Sequence, residues 1–144
     1  MKWVTRSRPK TDRIACPWLI RRYIDPEAEI VFVAPDRVLA AAADLGARSF
    51  DAAGAEFTHR DGKCTFEVLI EEFALGPDSA LTRLARIVHA ADISEDLDTD
   101  SLAPGLLAIG VGGLQVEPND HSLLEKGAFV YDALYAWCAL QPTT

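Results

Sequence analysis

Cysteine is scarce: Cys16, Cys64 and Cys138 stand far apart, with no C-x-x-C pair. That spacing fits neither a disulfide framework nor a zinc finger, and reads as three reduced thiols. Long apolar runs are also missing. The richest stretch, Leu102–Val116, is broken by four glycines and a proline, so no membrane association is expected. The basic start MKWVTRSRPK is followed by no apolar signal core, and the expected location is cytoplasmic. Walker, Rossmann and nucleophile-elbow patterns do not occur. Gly110-Val111-Gly112-Gly113 lies inside an apolar helical run and not after a strand, so no nucleotide cofactor is expected.

Basic residues thin out after position 22. Residues 1–22 hold seven Lys and Arg against the single acid Asp12, a net +6, whereas 23–144 hold seven against 21 acids, a net −14; the whole chain is −8. An anion site therefore belongs near the N-terminus, and the acidic whole argues against direct nucleic-acid binding. The bland reading of the basic start is a solvated strand-and-loop edge. At 144 residues, 49% hydrophobic and 25% charged, the chain reads as one folded domain over 1–144.

Lys2–Thr5, Glu29–Ala34 and the short Arg48–Asp51 are strand-like runs. They alternate with an Arg- and Leu-rich helical stretch and with the helix-like Arg37–Leu45. Pro17 suits a first helical turn, which places Cys16 at the N-cap, and Asp25-Pro26 ends that helix. The fold class expected is α/β: a small, mostly parallel βαβαβ sheet in the N-terminal half, packed against a helical C-terminal half. Glu56–His59 reads as an edge strand and Arg60–Lys63 as a turn. Helices follow over Thr65–Leu75, then after an Asp78 cap with Leu81, Leu84, Ala85 and Val88 as an apolar stripe. Residues 92–101 read as an acidic loop. Leu102–Leu114 is a glycine-weakened helix, and Ser122–Glu125 a capping box opening the last one.

Two constellations bear on chemistry. The first is Arg13, Cys16, Trp18, Arg21 and Arg22. A cysteine at a helix N-terminus beside arginines has a lowered thiol pKa, and the same groups suit a tetrahedral oxyanion such as phosphate, sulfate or chromate. Cys16 is the reactive candidate, and Arg13, Trp18, Arg21 and Arg22 are the anion ligands. The alternative is a buried Cys beside Trp18, with the arginines pairing acids elsewhere. The second constellation is His59, Glu67, His89 and Asp92. His89 and Asp92 are three apart and share a helical face, and such N/O ligands suit Zn, Mn or Fe. No H-E-x-x-H or H-x-H motif supports them, and His89 also reads as a core histidine. Tyr131, Asp132 and Tyr135 form a possible proton relay, for which core packing is the simpler account.

The blocks WVTRSRPKTDRIACPWLIRRYIDPEAEIVFV, GAEFTHRDGKCTFEVLIEEFAL, LARIVHAADI and YDALYAW resemble the C-terminal domain of the ChrB family of bacterial chromate-resistance proteins. The resemblance runs from Trp3 to Trp137. It implies a part in resistance to, or sensing of, chromate. It points to Arg13, Cys16, Trp18 and Arg21 in the first block, to His59, Cys64 and Glu67 in the second, and to His89 and Asp92 in the third.

Three functions are then to be weighed. One is a domain that binds or senses a small oxyanion through the basic, Cys-containing segment, with or without a divalent metal ion. Another is a metal-dependent hydrolase or oxidoreductase using the His/Glu/Asp set. The third is an interaction module, for which the glycine-rich Leu102–Leu114 segment would supply a homo-oligomer contact.

Overall fold

The structure, a computed structural model, describes residues 1–142. Strand β1 (Lys2–Arg6) is followed by α1 (Asp12–Leu19), β2 (Glu29–Val33), α2 (Val38–Leu45) and β3 (Arg48–Ser49). All pairings are parallel, in the order β2-β1-β3. The chain thus crosses from β1 to β2, then back over β1 to β3. Alternation along β1 sorts the two faces: Trp3, with Ile30 of β2, packs into the main core with α1, while Val4 packs with Val38 and Ala42 of α2. The two crossover helices therefore cover opposite faces, as a parallel sheet requires.

The second half is helical: α3 (Thr65–Glu72), α4 (Ser79–Asp92), α5 (Ala103–Val116) and α6 (Asp120–Leu140). Helix α4 buries Leu81, Leu84, Ala85 and Val88, the stripe read from the sequence, and Asp78 caps it by accepting from the Leu81 amide. Helix α6 lies against α1 at a point where Gly127 meets Ile14: a Cβ at 127 would stand 2.5 Å from Ile14 Cγ2. No helix among the described residues is long and apolar enough to cross a membrane.

Four local expectations are corrected. Helix α1 starts at Asp12, so Pro17 lies in its interior and Cys16 is not at its N-cap. Proline there forfeits one N–H, but Ile14, Ala15, Cys16, Trp18 and Leu19 are all buried, and that packing overrides the local rule. The backbone continues into a π-turn over Ile20–Ile24. Glu56–His59 forms no strand; it contributes one bridge, Phe57 to Phe50. Helix α6 begins a turn before the expected capping box, with Asn119 accepting from the Ser122 amide. Residues 94–99 of the acidic loop wind into a 3-10 helix.

Candidate functional site

The site gathers where the strands end. In parallel sheets ligands bind outside the carboxyl ends of the strands, where successive crossovers diverge, and here that place is between β1 and β3. Arg6 ends β1, Asp12 opens α1 just beyond it, and Asp51 follows β3. Asp51 has φ +51°, a left-handed conformation that Asp tolerates better than most residues.

Asp12 is fully buried. Its Oδ2 accepts from the Thr65 amide at 2.8 Å and its Oδ1 from the Phe66 amide at 3.0 Å, so it satisfies the free N–H groups that open α3. The Cys16 thiol, one helical turn along, donates to the same Oδ1. Asp51 is also buried. Thr65 Oγ1 donates to its Oδ1 at 2.8 Å, while Arg6 and Arg13 pair with its Oδ2 at 3.2 and 3.4 Å. His59 enters from the segment after Phe57, with nearly half its side chain exposed. Its Nε2 lies 3.0 Å from Asp92 Oδ2 and 3.4 Å from both Asp12 Oδ2 and Asp51 Oδ1. Asp92 is the last residue of α4.

The charges follow from this crowding. Burial, then Asp12 and Asp51, push Asp92 up to about 7. Hydrogen bonds to Asp12 and Asp51 lift His59 to about 10, against the opposing effect of its partial burial. Burial also raises Asp12. For Asp51 burial acts upward too, but the bonds from His59 and Thr65 and the charge of Arg6 outweigh it, and its pKa is lowered. Asp12, His59 and Asp92 each offer one ligand atom, all within 4.8 Å of one another, as a metal ion needs.

Of the expected metal ligands, the structure joins His59 to Asp92 and places Glu67 and His89 in a separate group with Cys64. Glu67 Oε1 accepts from the Cys64 amide at 3.0 Å and also contacts His89 Nδ1. His89 Nε2 bonds Asp96 Oδ2 at 2.6 Å. Burial disfavours the charged His89 ring, but its two carboxylate partners outweigh this and raise its pKa.

The expected anion ligands are not brought together. Arg13 faces Asp51 and the Arg6 and Ser7 carbonyls. Arg21 donates to the Ala28 carbonyl. Arg22 stacks over Trp18 and Tyr135 and pairs with Asp132, which also accepts from Trp18 Nε1. Cys16 is wholly buried, and burial first, then Asp12, push its thiol pKa well up; the expected lowering is overturned because the thiol sits mid-helix beside a carboxylate. Tyr131 donates to the Thr11 carbonyl and Tyr135 to Asp78, which makes both packing residues.

Sequence reasoning missed Asp12, Asp51 and Asp96. Asp12 stood out only as the lone acid in a basic stretch, and Asp51 as the residue closing a strand. The available signal was positional, since both follow strands of a βαβαβ unit at their carboxyl ends.

No solved structure matches the chain. The chain is 39% identical over 139 residues to "Protein ChrB" of Cupriavidus metallidurans, covering 93% of this chain and 40% of that protein. Residues 3–138 match the family described as "ChrB, C-terminal domain". The chain belongs to the ChrB C-terminal domain family.

Proposed function

We propose that this chain is a chromate-resistance domain that holds a divalent metal ion on Asp12, His59 and Asp92, and receives an oxyanion such as chromate on the ion's open side. One observation carries the metal reading: three carboxylates, on Asp12, Asp51 and Asp92, converge within 3.4 Å on the single nitrogen His59 Nε2. A ring nitrogen has one proton to donate and satisfies one acceptor. A cation beside it offsets all three charges at once, and an oxygen-rich set with one imidazole suits Mn, Fe or Zn. Asp51, fixed by Thr65 and by Arg6 and Arg13, stands as a further carboxylate beside the three ligands.

The oxyanion part rests on family membership and on charge. Arg6 and Arg13 are the members of the basic N-terminal segment that reach this centre, and guanidinium groups match tetrahedral anions. A bound divalent ion would supply positive charge and unfilled coordination positions. The exposed side of His59 leaves the centre open to solvent. Cys16 acts here by holding Asp12, not as a reacting thiol.

Mn(II) titration followed by electron paramagnetic resonance tests the metal. About one ion per chain should bind to the wild type at the oxygen-rich centre, and His59→Ala should abolish it with helical content unchanged. Equal Mn(II) binding by both proteins would overturn the reading. Chromate should then raise the melting temperature of the metal-loaded protein, with a smaller rise in Arg13→Ala. Melting that stays constant through a chromate titration would contradict the oxyanion part.

A further inference from the structure

We infer that Cys64, Glu67 and His89 form a second cation site, of softer character than the first, suited to Zn(II) or Co(II) and held in orientation by Asp96. The inference goes beyond the proposed function, since none of these residues belongs to the Asp12, His59, Asp92 centre.

Cys64 Sγ, one Glu67 carboxylate oxygen and a His89 ring nitrogen all lie within 4.8 Å of one another. Their order in the fold fixes them well. Cys64 is the N-cap of α3, and Glu67, three residues on, reaches back to its amide; His89 projects from the facing helix α4. Two features mark this as more than a helix cap. The first is the residue type. Ser, Thr, Asp and Asn are the favoured N-caps because their oxygen accepts well, and sulfur is a weaker acceptor that is a far better ligand for a borderline-soft metal. The second is the arrangement around His89. Its Nε2 is bonded to Asp96 at 2.6 Å, while Nδ1 contacts Glu67. A carboxylate on the far nitrogen keeps a proton there and leaves the near nitrogen free to ligate, the usual support for a metal-bound histidine.

Cys64 is wholly buried, so a cation would enter from the side of its carboxylate neighbours. Glu67 and Asp96 are partly exposed, and Glu67 lines a surface groove with Lys63, Ile70, Glu71 and Arg86. Binding would convert the Cys64 thiol to a thiolate, with its proton released to solvent and no change of oxidation state.

Anaerobic titration of the whole chain with Co(II) tests this, because thiolate ligation gives a near-ultraviolet sulfur-to-cobalt charge-transfer band that carboxylate and imidazole ligands do not. The wild type should show the band, and Cys64→Ser, which keeps an N-cap acceptor while removing the sulfur, should reduce it to background with helical content unchanged. Asp96→Asn should weaken Co(II) binding about 10- to 100-fold. His59→Ala, which removes the first centre, should leave the band in place. A wild type that binds Co(II) with no thiolate band would overturn this inference while leaving the first centre standing. Loss of the band in Cys16→Ser and its survival in Cys64→Ser would overturn it too.

Discussion

His59 and Asp92 share a short contact, and both have their pKa moved upward: His59 to about 10 by its hydrogen bonds to Asp12 and Asp51, Asp92 to about 7 by burial first and then by the charges of Asp12 and Asp51. In the metal-free protein both therefore bind protons more tightly folded than unfolded. The unfolded values are about 6.5 for His and about 3.9 for Asp. Stability from Asp92 is then full below about pH 4 and is lost as pH rises through 7, and that from His59 is full below about 6.5 and lost as pH rises through 10. Metal-free wild type should accordingly lose stability across this span more steeply than Asp92→Asn or His59→Gln, as read by denaturant unfolding at several pH values. Parallel curves for wild type and variants would show that the contact has no energetic weight. These two residues were legible as ligand types, but their partners were not. Asp12 and Asp51 look like ordinary acids in sequence, and only their burial and the strand ends beside them give them a role.

At the scale of elements, α1 shows most clearly where local rules gave way. Pro17 marked a helix start, yet five buried residues on the same helix carry it through from Asp12. The large ones among them, Ile14, Trp18 and Leu19, contribute roughly 1.5–3 kcal/mol each on burial, enough together to outweigh the roughly 3 kcal/mol cost of an interior proline. The displaced start moves Cys16 from a cap, where its thiol would be activated, to a buried turn where it is suppressed. Helices α1 and α6 meet at Ile14 and Gly127 with no room for a methyl group. Gly127→Ala should cost about 1–3 kcal/mol through overpacking, although alanine favours helix. In the Ile14→Ala background the same change should be close to neutral or stabilising, so a double-mutant cycle by chemical denaturation would show strong coupling. Additive effects would mean that the helices adjust their separation freely. By contrast α4 was legible throughout, because its cap Asp78 and its stripe Leu81, Leu84, Ala85 and Val88 are short-range signals that agree with one another.

For the whole molecule, the alternation of strands and helices over the first 51 residues was enough to read the parallel sheet and its helical cover. Sheet order β2-β1-β3 was not read, yet that order creates the crevice at the carboxyl ends of β1 and β3. The full ligand set escaped the sequence for the same reason: His59 and Asp92 were read as ligands but Asp12 was not, because the three come from α1, the segment after Phe57 and the end of α4, which no local motif spans. The net −14 of residues 23–144 also takes on a structural meaning, since the basic N-terminal segment is largely consumed pairing it: Arg6 and Arg13 with Asp51, Arg8 with Asp120, Arg22 with Asp132. The centre that remains is rich in carboxylates and calls for a cation. Elemental analysis of the untagged protein, purified without a metal-affinity column, tests this most directly when wild type and His59→Ala are compared. The variant should carry about one fewer Mn, Fe or Zn ion per chain than the wild type. A wild type free of metal, with melting indifferent to added Mn(II), Fe(II) or Zn(II), would contradict it.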